Sequence, residues 1–111
     1  MSASVLVVDD ERAIRDAIGF LLRDEGYQVR QAGDGAEAWA EIQRAVPDLL
    51  LTDVKMPHLD GIALIRRARD EGHGFPVIIM TAQRARVDAP RVHHLPKPFD
   101  LDELLALIEP L

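Results

Sequence analysis

The chain contains three short runs of consecutive apolar residues, at positions 5–8, 49–51 and 77–80. These runs are rich in Val, Ile or Leu and have no polar side, which is typical of strands buried on both faces of a parallel sheet. Residues 27–32 instead alternate between apolar and polar, as expected of a more exposed edge strand. Residues 92–95 fit a weaker fifth strand before a Pro-rich turn. The pattern therefore predicts five strands.

Apolar residues recur at helical spacing between these strands and after the last one, which predicts helices over residues 11–25, 36–45, 62–69 and 101–108. Gly26 follows the first helix, as a helix C-terminus favours. Asp100 and Glu103 have the spacing of a capping box at the start of the last helix. This alternation predicts a three-layer α/β/α fold with a doubly wound, five-stranded parallel sheet, in which all strands end at the same edge.

The connection between the last two predicted strands is short. Only 93 − 81 − 1 = 11 residues separate Thr81 from His93, and a parallel crossover needs at least about 10 to 12 residues including its helix. Pro90 lies within this connection and cannot continue a helix. We therefore expect a mobile loop or a single helical turn there, so that the fourth of five helices is short or absent.

The composition fits one small acidic domain over residues 1–111. The chain has no cysteine, which excludes disulfides and Cys-based zinc sites and fits the cytoplasm. The net charge is 13 − 19 = −6, without a basic cluster, so we expect no direct binding to nucleic acid. No apolar run approaches the roughly 20 residues that cross a bilayer, so we expect no membrane contact.

Polar side chains follow four of the five predicted strands. Asp9 and Asp10 come after the first strand, Asp53 ends the third, Thr81 ends the fourth and Lys97 follows the fifth. Taken singly, such acids are usually solvated or complement a helix dipole. Ligands of parallel α/β sheets, however, bind just beyond the carboxyl ends of the strands. The convergence of these residues at one edge therefore predicts a functional site.

The residue types indicate the chemistry of this site. Two carboxylates about 4 Å apart repel each other by about 4 kcal/mol at an effective dielectric of about 20, so a cluster indicates a bound cation. Oxygen ligands without His or Cys suit Mg²⁺. An Asp beside Mg²⁺ can attack phosphorus, while Lys97 and the Thr81 hydroxyl can bind phosphoryl oxygens. The predicted reaction is phosphoryl transfer onto Asp53.

These residues also carry a family resemblance. The motifs are VLVVDDE at 5–11, PDLLLTDVKMP at 47–57, DG at 60–61, PVIIMTA at 76–82 and KPF at 97–99. They resemble the receiver domain of two-component response regulators over almost the whole chain. The resemblance implies the flavodoxin-like strand order 2-1-3-4-5 and a histidine kinase or phosphotransfer protein as phosphodonor. It also implies an output domain or partner protein that responds to phosphorylation.

The resemblance further implies a signalling switch rather than a classical enzyme, one that catalyses its own phosphorylation and autodephosphorylation at Asp53. Its Mg²⁺ ligands would be Asp10, Asp53 and the backbone carbonyl of Lys55, with Asp9 acting through water. By the same matching, Lys55 also occupies a position that tunes the rate of hydrolysis.

The remaining implied roles belong to residues near the last two strands. Thr81 would be the switch hydroxyl and Lys97 the phosphate-binding lysine, followed by a cis Pro98. Ala82 would admit the phosphoryl group, and Gln83 would tune hydrolysis together with Lys55.

The chain departs from the family pattern between Thr81 and Lys97. The spacing is 97 − 81 = 16 residues, fewer than is usual in the family, and His94 stands at the switch position where the family has Tyr or Phe. The face formed by the shortened fourth helix, the fifth strand and the last helix is therefore atypical.

This atypical face leaves open an alternative function, a phosphorylation-independent interaction module. A Mg²⁺ phosphatase of the dehalogenase type would instead need an Asp-x-Asp pattern after the first strand, which the adjacent acids do not form.

Overall fold

The computed structural model describes residues 3–56, 58–81 and 90–111. These residues form five strands and four helices, in the order β1 (Ser4–Val8), α1 (Arg12–Asp24), β2 (Gln28–Ala32), α2 (Gly35–Arg44), β3 (Leu49–Asp53), α3 (Gly61–Asp70), β4 (Val77–Thr81), β5 (Val92–Pro96) and α4 (Leu101–Ile108). Each of these elements was predicted from the sequence, to within about one residue at its ends, which is the usual uncertainty of helix and strand boundaries. The expectation of a loop or single turn after β4 falls mainly on residues 82–89, which lie outside the described residues.

The five strands form one parallel sheet in the order β2-β1-β3-β4-β5. This confirms the flavodoxin-like order that the family resemblance implied. The three central strands are almost fully buried, as continuous apolar runs predict. The alternating strand β2 lies at one edge and β5 at the other. All five carboxyl ends point to the same side of the molecule.

Helices cover both faces of this sheet. Because successive strand residues point to opposite faces, Leu6 and Val8 pack with α2 and α3, whereas Val5 and Val7 pack with α1 and α4. The result is two hydrophobic cores, one on each side of the sheet, and the three-layer arrangement that was predicted. None of the described helices is both long enough and apolar enough to span a membrane.

Aspartate caps fix where three of the helices begin. The side chains of Asp34, Asp60 and Asp100 each accept a hydrogen bond from the backbone N–H three residues later, at 2.7, 2.8 and 2.8 Å. At α4 the Glu103 side chain also accepts from the Asp100 N–H, which completes the predicted capping box. These helices therefore start next to the edge where the strands end, and their positive N-termini face it.

Two residues on the helices illustrate how well periodicity predicts burial. Trp39 of α2 is buried in the core shared with α3. Ala17 fits the helical spacing of apolar residues in α1 but is exposed. Ile18 and Leu22 make the main contacts of α1 with the sheet instead.

Candidate functional site

The carboxyl edge of the sheet brings three acidic side chains together. One carboxylate oxygen from each of Asp9, Asp10 and Asp53 lies within 4.8 Å of the others. The pairing of β1 with β3 explains this, since Val8 lies opposite Thr52 and the next residue on each strand is an Asp. Asp9 is fully buried, Asp53 is half-buried and Asp10 is exposed. The three acids therefore converge as the sequence predicted.

Asp53 is held at both carboxylate oxygens. Its Oδ1 accepts a hydrogen bond from the Val54 N–H at 2.7 Å, and its Oδ2 accepts one from Lys97 Nζ at 3.0 Å. The Asp53 side chain is 15% exposed and that of Lys97 21%. A carboxylate in this position is oriented by its neighbours and still open to a ligand approaching from the edge of the sheet.

Asp9 lies deeper and is less well paired. Its Oδ1 accepts a hydrogen bond from the Glu11 N–H at 2.9 Å. Its Oδ2 is buried without a hydrogen-bond partner among the described residues and lies 3.7 Å from Lys97 Nζ. Burial raises the pKa of the Asp9 carboxyl, and the charges of Asp53 and Asp10 add to this effect. These contributions outweigh the lowering by the Glu11 N–H and by Lys97.

Lys97 is the cation of the site. Burial opposes its charged form, but the hydrogen bond to Asp53 and the charges of Asp53, Asp9 and Glu11 outweigh burial and raise the pKa of its ammonium group. The backbone also fixes it, because the Lys97 N–H donates to the Thr81 carbonyl at 2.8 Å. The Lys97–Pro98 peptide bond is cis, as the family resemblance implied. Lys97 thus connects the end of β4 to Asp53.

Lys55 lies on the loop between β3 and α3. The residues of this loop border a cavity whose other wall is Asp10, and its lining residues are Asp10, Val54, Lys55, Met56 and Asp60. The Lys55 side chain is exposed. The loop therefore faces the acid cluster, where the family resemblance implied that the Lys55 carbonyl acts.

The two predicted switch residues lie on neighbouring strands. Thr81 ends β4 and is buried, and His94 lies on β5 opposite Ile79. His94 is half-buried. It lies two residues after Val92, which packs against the core under α2 and α3, so the His94 side chain points to that same face of the sheet. Ala82 and Gln83 lie outside the described residues, so their predicted roles, like that of His94, stay predictions.

Two residues at this edge were not identified from the sequence. The Arg15 guanidinium donates a hydrogen bond to the Asp9 carbonyl at 2.8 Å. Glu11, the N-cap of α1, contributes to the raised pKa of Lys97. The sequence placed Glu11 among the acids that follow β1 and Arg15 between the apolar positions of α1, with no role in the site for either. Their spacing of four residues was a usable signal, because it places Arg15 above Glu11 on the same side of the helix.

The donor set of the cluster fits a hard divalent cation. It offers three carboxylates and no His or Cys, which is the oxygen-rich environment that Mg²⁺ prefers. The buried Oδ2 of Asp9, without a hydrogen bond, is an acceptor that a metal-bound water would satisfy. Lys97, the cation that pairs with Asp9 and Asp53, carries one positive charge and cannot neutralise three acids.

Comparison with known proteins shows which family this chain belongs to. The model of the response regulator receiver domain matches residues 5–109. The response regulator MprA of Mycobacterium tuberculosis (strain H37Rv) is 43% identical over 117 aligned positions, which cover 100% of this chain and 51% of MprA. The chain therefore spans about half the length of the curated relatives that it matches.

Solved structures agree with this assignment. Chemotaxis protein CheY4 of Vibrio cholerae superposes with a TM-score of 0.89 at 32% identity, covering 99% of this chain and 98% of that one. The response regulator TrrA of Thermotoga maritima, solved in complex with Mg²⁺ and BeF, superposes with a TM-score of 0.88 at 30% identity and the same coverage. Sequence motifs, fold and comparisons agree: the chain belongs to the response regulator receiver domain family of two-component systems.

Proposed function

We propose that this receiver domain accepts a phosphoryl group on Asp53 from a histidine kinase or a phosphotransfer protein, in a reaction that requires Mg²⁺. The main supporting observation is the 3.0 Å hydrogen bond between Asp53 Oδ2 and Lys97 Nζ, next to two further carboxylates. This arrangement combines an oriented nucleophile with a fixed positive charge. It is the combination that phosphoryl transfer to a carboxylate needs.

In the proposed reaction an Asp53 carboxylate oxygen attacks the phosphorus of a phosphohistidine. The new O–P bond forms as the N–P bond of the donor breaks, and the imidazole leaving group takes up a proton. Lys97 then pairs with a phosphoryl oxygen, and its raised pKa keeps it protonated for this task. The Val54 N–H holds the other Asp53 oxygen in place throughout.

We assign Asp10, Asp53 and the Lys55 backbone carbonyl as ligands of Mg²⁺, with Asp9 acting through water. When bound, Mg²⁺ neutralises the acids and the charge on the transferring phosphoryl oxygens. Hydrolysis of the phosphorylated Asp53 in the same site returns the domain to its starting state, with Lys55 and Gln83 setting the rate.

Thr81 and His94 are the residues that we propose transmit phosphorylation to the surface. Thr81 lies at the end of β4, and its carbonyl already binds the Lys97 N–H. A hydrogen bond from the Thr81 hydroxyl to a phosphoryl oxygen would draw the end of β4 toward Asp53. His94 on the neighbouring strand would then move with it and change the surface that an output domain or partner protein contacts.

The test is phosphorylation by a small phosphodonor in the presence of Mg²⁺, followed by intact mass measurement. The wild-type protein should gain one phosphoryl group that is stable in acid and labile in base, as an acyl phosphate is. Asp53→Asn should gain none, whereas Asp102→Asn, which removes an exposed acid on α4, should react as the wild type does. A phosphorylated Asp53→Asn protein would show that another residue is the acceptor.

The alternative function, a phosphorylation-independent interaction module, has less support. Such a module could dispense with the acids and with Lys97, and all of them are present and in contact. A partner that binds equally well to wild type and to Asp53→Asn, with and without phosphodonor, would favour this alternative.

A further inference from the structure

The start of α2 lies in direct contact with the loop between β3 and α3. Gly35, the first residue of α2, is buried against the backbone of Leu59 on that loop. A Cβ atom at position 35 would overlap the Leu59 carbonyl oxygen and lie 2.6 Å from its carbonyl carbon. Because the obstacle is backbone, no change of rotamer relieves the overlap. Any side chain at position 35 must displace either the helix or the loop.

The same loop is held at its two ends by Gly61. The Gly61 N–H donates to the Val54 carbonyl at 2.8 Å, which ties the first residue of α3 to the first residue after Asp53. A Cβ at Gly61 would overlap the Asp53 carbonyl oxygen. The ends of the loop are therefore fixed to the nucleophile strand, and its middle is free to be positioned by another element.

α2 supplies that second point of attachment. Besides the Gly35–Leu59 contact, His58 Nε2 lies 4.0 Å from Oδ2 of Asp34, the N-cap of α2. His58 has a positive φ of 70°, a conformation that only a few per cent of non-glycine residues adopt, by a rough estimate. Leu59 is half-buried against the core under α2 and α3. Two successive loop residues thus contact the first turn of α2.

We propose that Gly35 is a positioning residue for the metal site. The absence of a side chain lets α2 hold the Leu59 backbone close, and this contact sets the position of the loop that carries Lys55 opposite Asp10. The inference rests on the proposed function, in which the Lys55 carbonyl is a ligand of Mg²⁺. It assigns a role in that site to a residue that does not line it.

Gly35→Ala should weaken Mg²⁺ binding more than it lowers the rate of phosphorylation at saturating Mg²⁺. Displacing the loop moves the Lys55 carbonyl, and changes just outside a metal site typically cost roughly 10- to 100-fold in affinity. Asp53 and Lys97 belong to the ends of β3 and β5 and keep their mutual contact. We therefore expect an at least roughly tenfold higher Kd for Mg²⁺, with a phosphorylation rate near that of the wild type once Mg²⁺ is saturating.

The measurement is an NMR amide titration with Mg²⁺, at a temperature where every variant is folded. Gly74→Ala is the matched control for the glycine change, because a Cβ there meets no atom within 4 Å. Ile42→Val is the control for a destabilised α2, since Ile42 is fully buried on that helix and lies 42 − 35 = 7 residues after Gly35, near the other end of α2. The proposal is supported if Gly35→Ala binds Mg²⁺ more weakly than the wild type and neither control variant does. Wild-type affinity in Gly35→Ala, or equal weakening by Ile42→Val, overturns it.

A second measurement uses only the wild-type protein and holds even if Gly35→Ala fails to fold. Coupling between two sites is reciprocal, so Mg²⁺ should slow amide exchange in the first turn of α2, at Glu37 and Ala38. The matched control is the first turn of α4, where Glu103 and Leu104 have equivalent bonds to a capping Asp. Equal effects on both helices overturn the proposal. Failure of the wild type to bind Mg²⁺ in the titration would overturn the proposed function itself.

Discussion

At the scale of single residues, the charge of Asp9 is costly to the native state. Its carboxylate is fully buried, and one of its two oxygens has no hydrogen-bond partner among the described residues. Asp53, by contrast, is bound at both oxygens. Burial and the neighbouring acids raise the pKa of Asp9. Ionised Asp9 therefore lowers the stability of the protein when no metal is bound.

We predict that Asp9→Asn raises the melting temperature at pH 7 in the presence of EDTA. Because the pKa of Asp9 is raised in the native state, the native protein binds that proton more tightly than the unfolded chain does. The resulting stability is fully present below the unfolded pKa of about 3.9 and is lost as the pH rises through the native pKa. Asn retains an oxygen for the Glu11 N–H and never carries the charge.

The difference in melting temperature between Asp9→Asn and the wild type should therefore shrink as the pH falls toward about 4. Melting curves between pH 4 and 8, fitted for both proteins, measure this difference. Asp102→Asn, on the exposed side of α4, is the control and should show no comparable trend. A difference between wild type and Asp9→Asn that does not change with pH would contradict the assignment.

At the scale of secondary-structure elements, the connection from β4 to β5 is short, because only 92 − 81 − 1 = 10 residues separate Thr81 from Val92. The end of the connection is anchored, because the Pro90 carbonyl accepts from Arg69 and the Arg91 side chain donates to the Gly74 carbonyl, both at 2.9 Å. Little chain is left to form a helix between these anchors and Thr81.

We predict that amides of residues 82–89 exchange rapidly in the unmodified protein, while those of β5 are protected by pairing with β4. Pro90 and the few apolar residues of this segment make a stable helix unfavourable. Hydrogen exchange over residues 82–95, with and without a phosphoryl mimic, is the measurement. Slower exchange with the mimic would indicate ordering of the loop by phosphorylation, and strong protection of residues 82–89 without it would mean that a helix is present.

At the scale of the whole molecule, the acid cluster exists only in the folded chain. Asp53 and Lys97 are 44 residues apart in sequence, and Asp9 comes from a third strand. The unfolded chain cannot bring these groups together, so a divalent cation that binds the cluster binds the native state alone. Such a ligand stabilises the protein by mass action.

We predict that Mg²⁺ raises the melting temperature in a saturable way. At ten times its Kd the ion should stabilise the native state by about 1.4 kcal/mol, which corresponds to roughly 5 °C for a domain of this size. Asp10→Asn, which removes an exposed proposed ligand, should reduce the shift at the same concentration. NaCl of equal ionic strength serves as the control for screening. A melting temperature indifferent to millimolar Mg²⁺ would argue against the metal site.

Much of this protein follows from local properties of its sequence. Apolar runs and helical periodicity specified the nine described elements. A strand buried on both faces gives a continuous apolar run, whereas a helix buried on one face repeats its apolar residues about every three to four positions. The placement of Asp9, Asp53 and Lys97 at one edge followed as well, because right-handed crossovers bring the carboxyl ends of parallel strands to the same side. The convergence of these three side chains was therefore predictable without coordinates.

Other features depend on distances between segments that are remote in sequence, which periodicity does not encode. The complete burial of Asp9 and its unpaired oxygen result from how closely β1, β3 and Lys97 pack. The contact of Gly35 with Leu59 depends on the packing of α2 against a loop, which no local pattern of the sequence specifies. Desolvation and backbone overlap vary steeply over fractions of an ångström, and only the tertiary structure determines them.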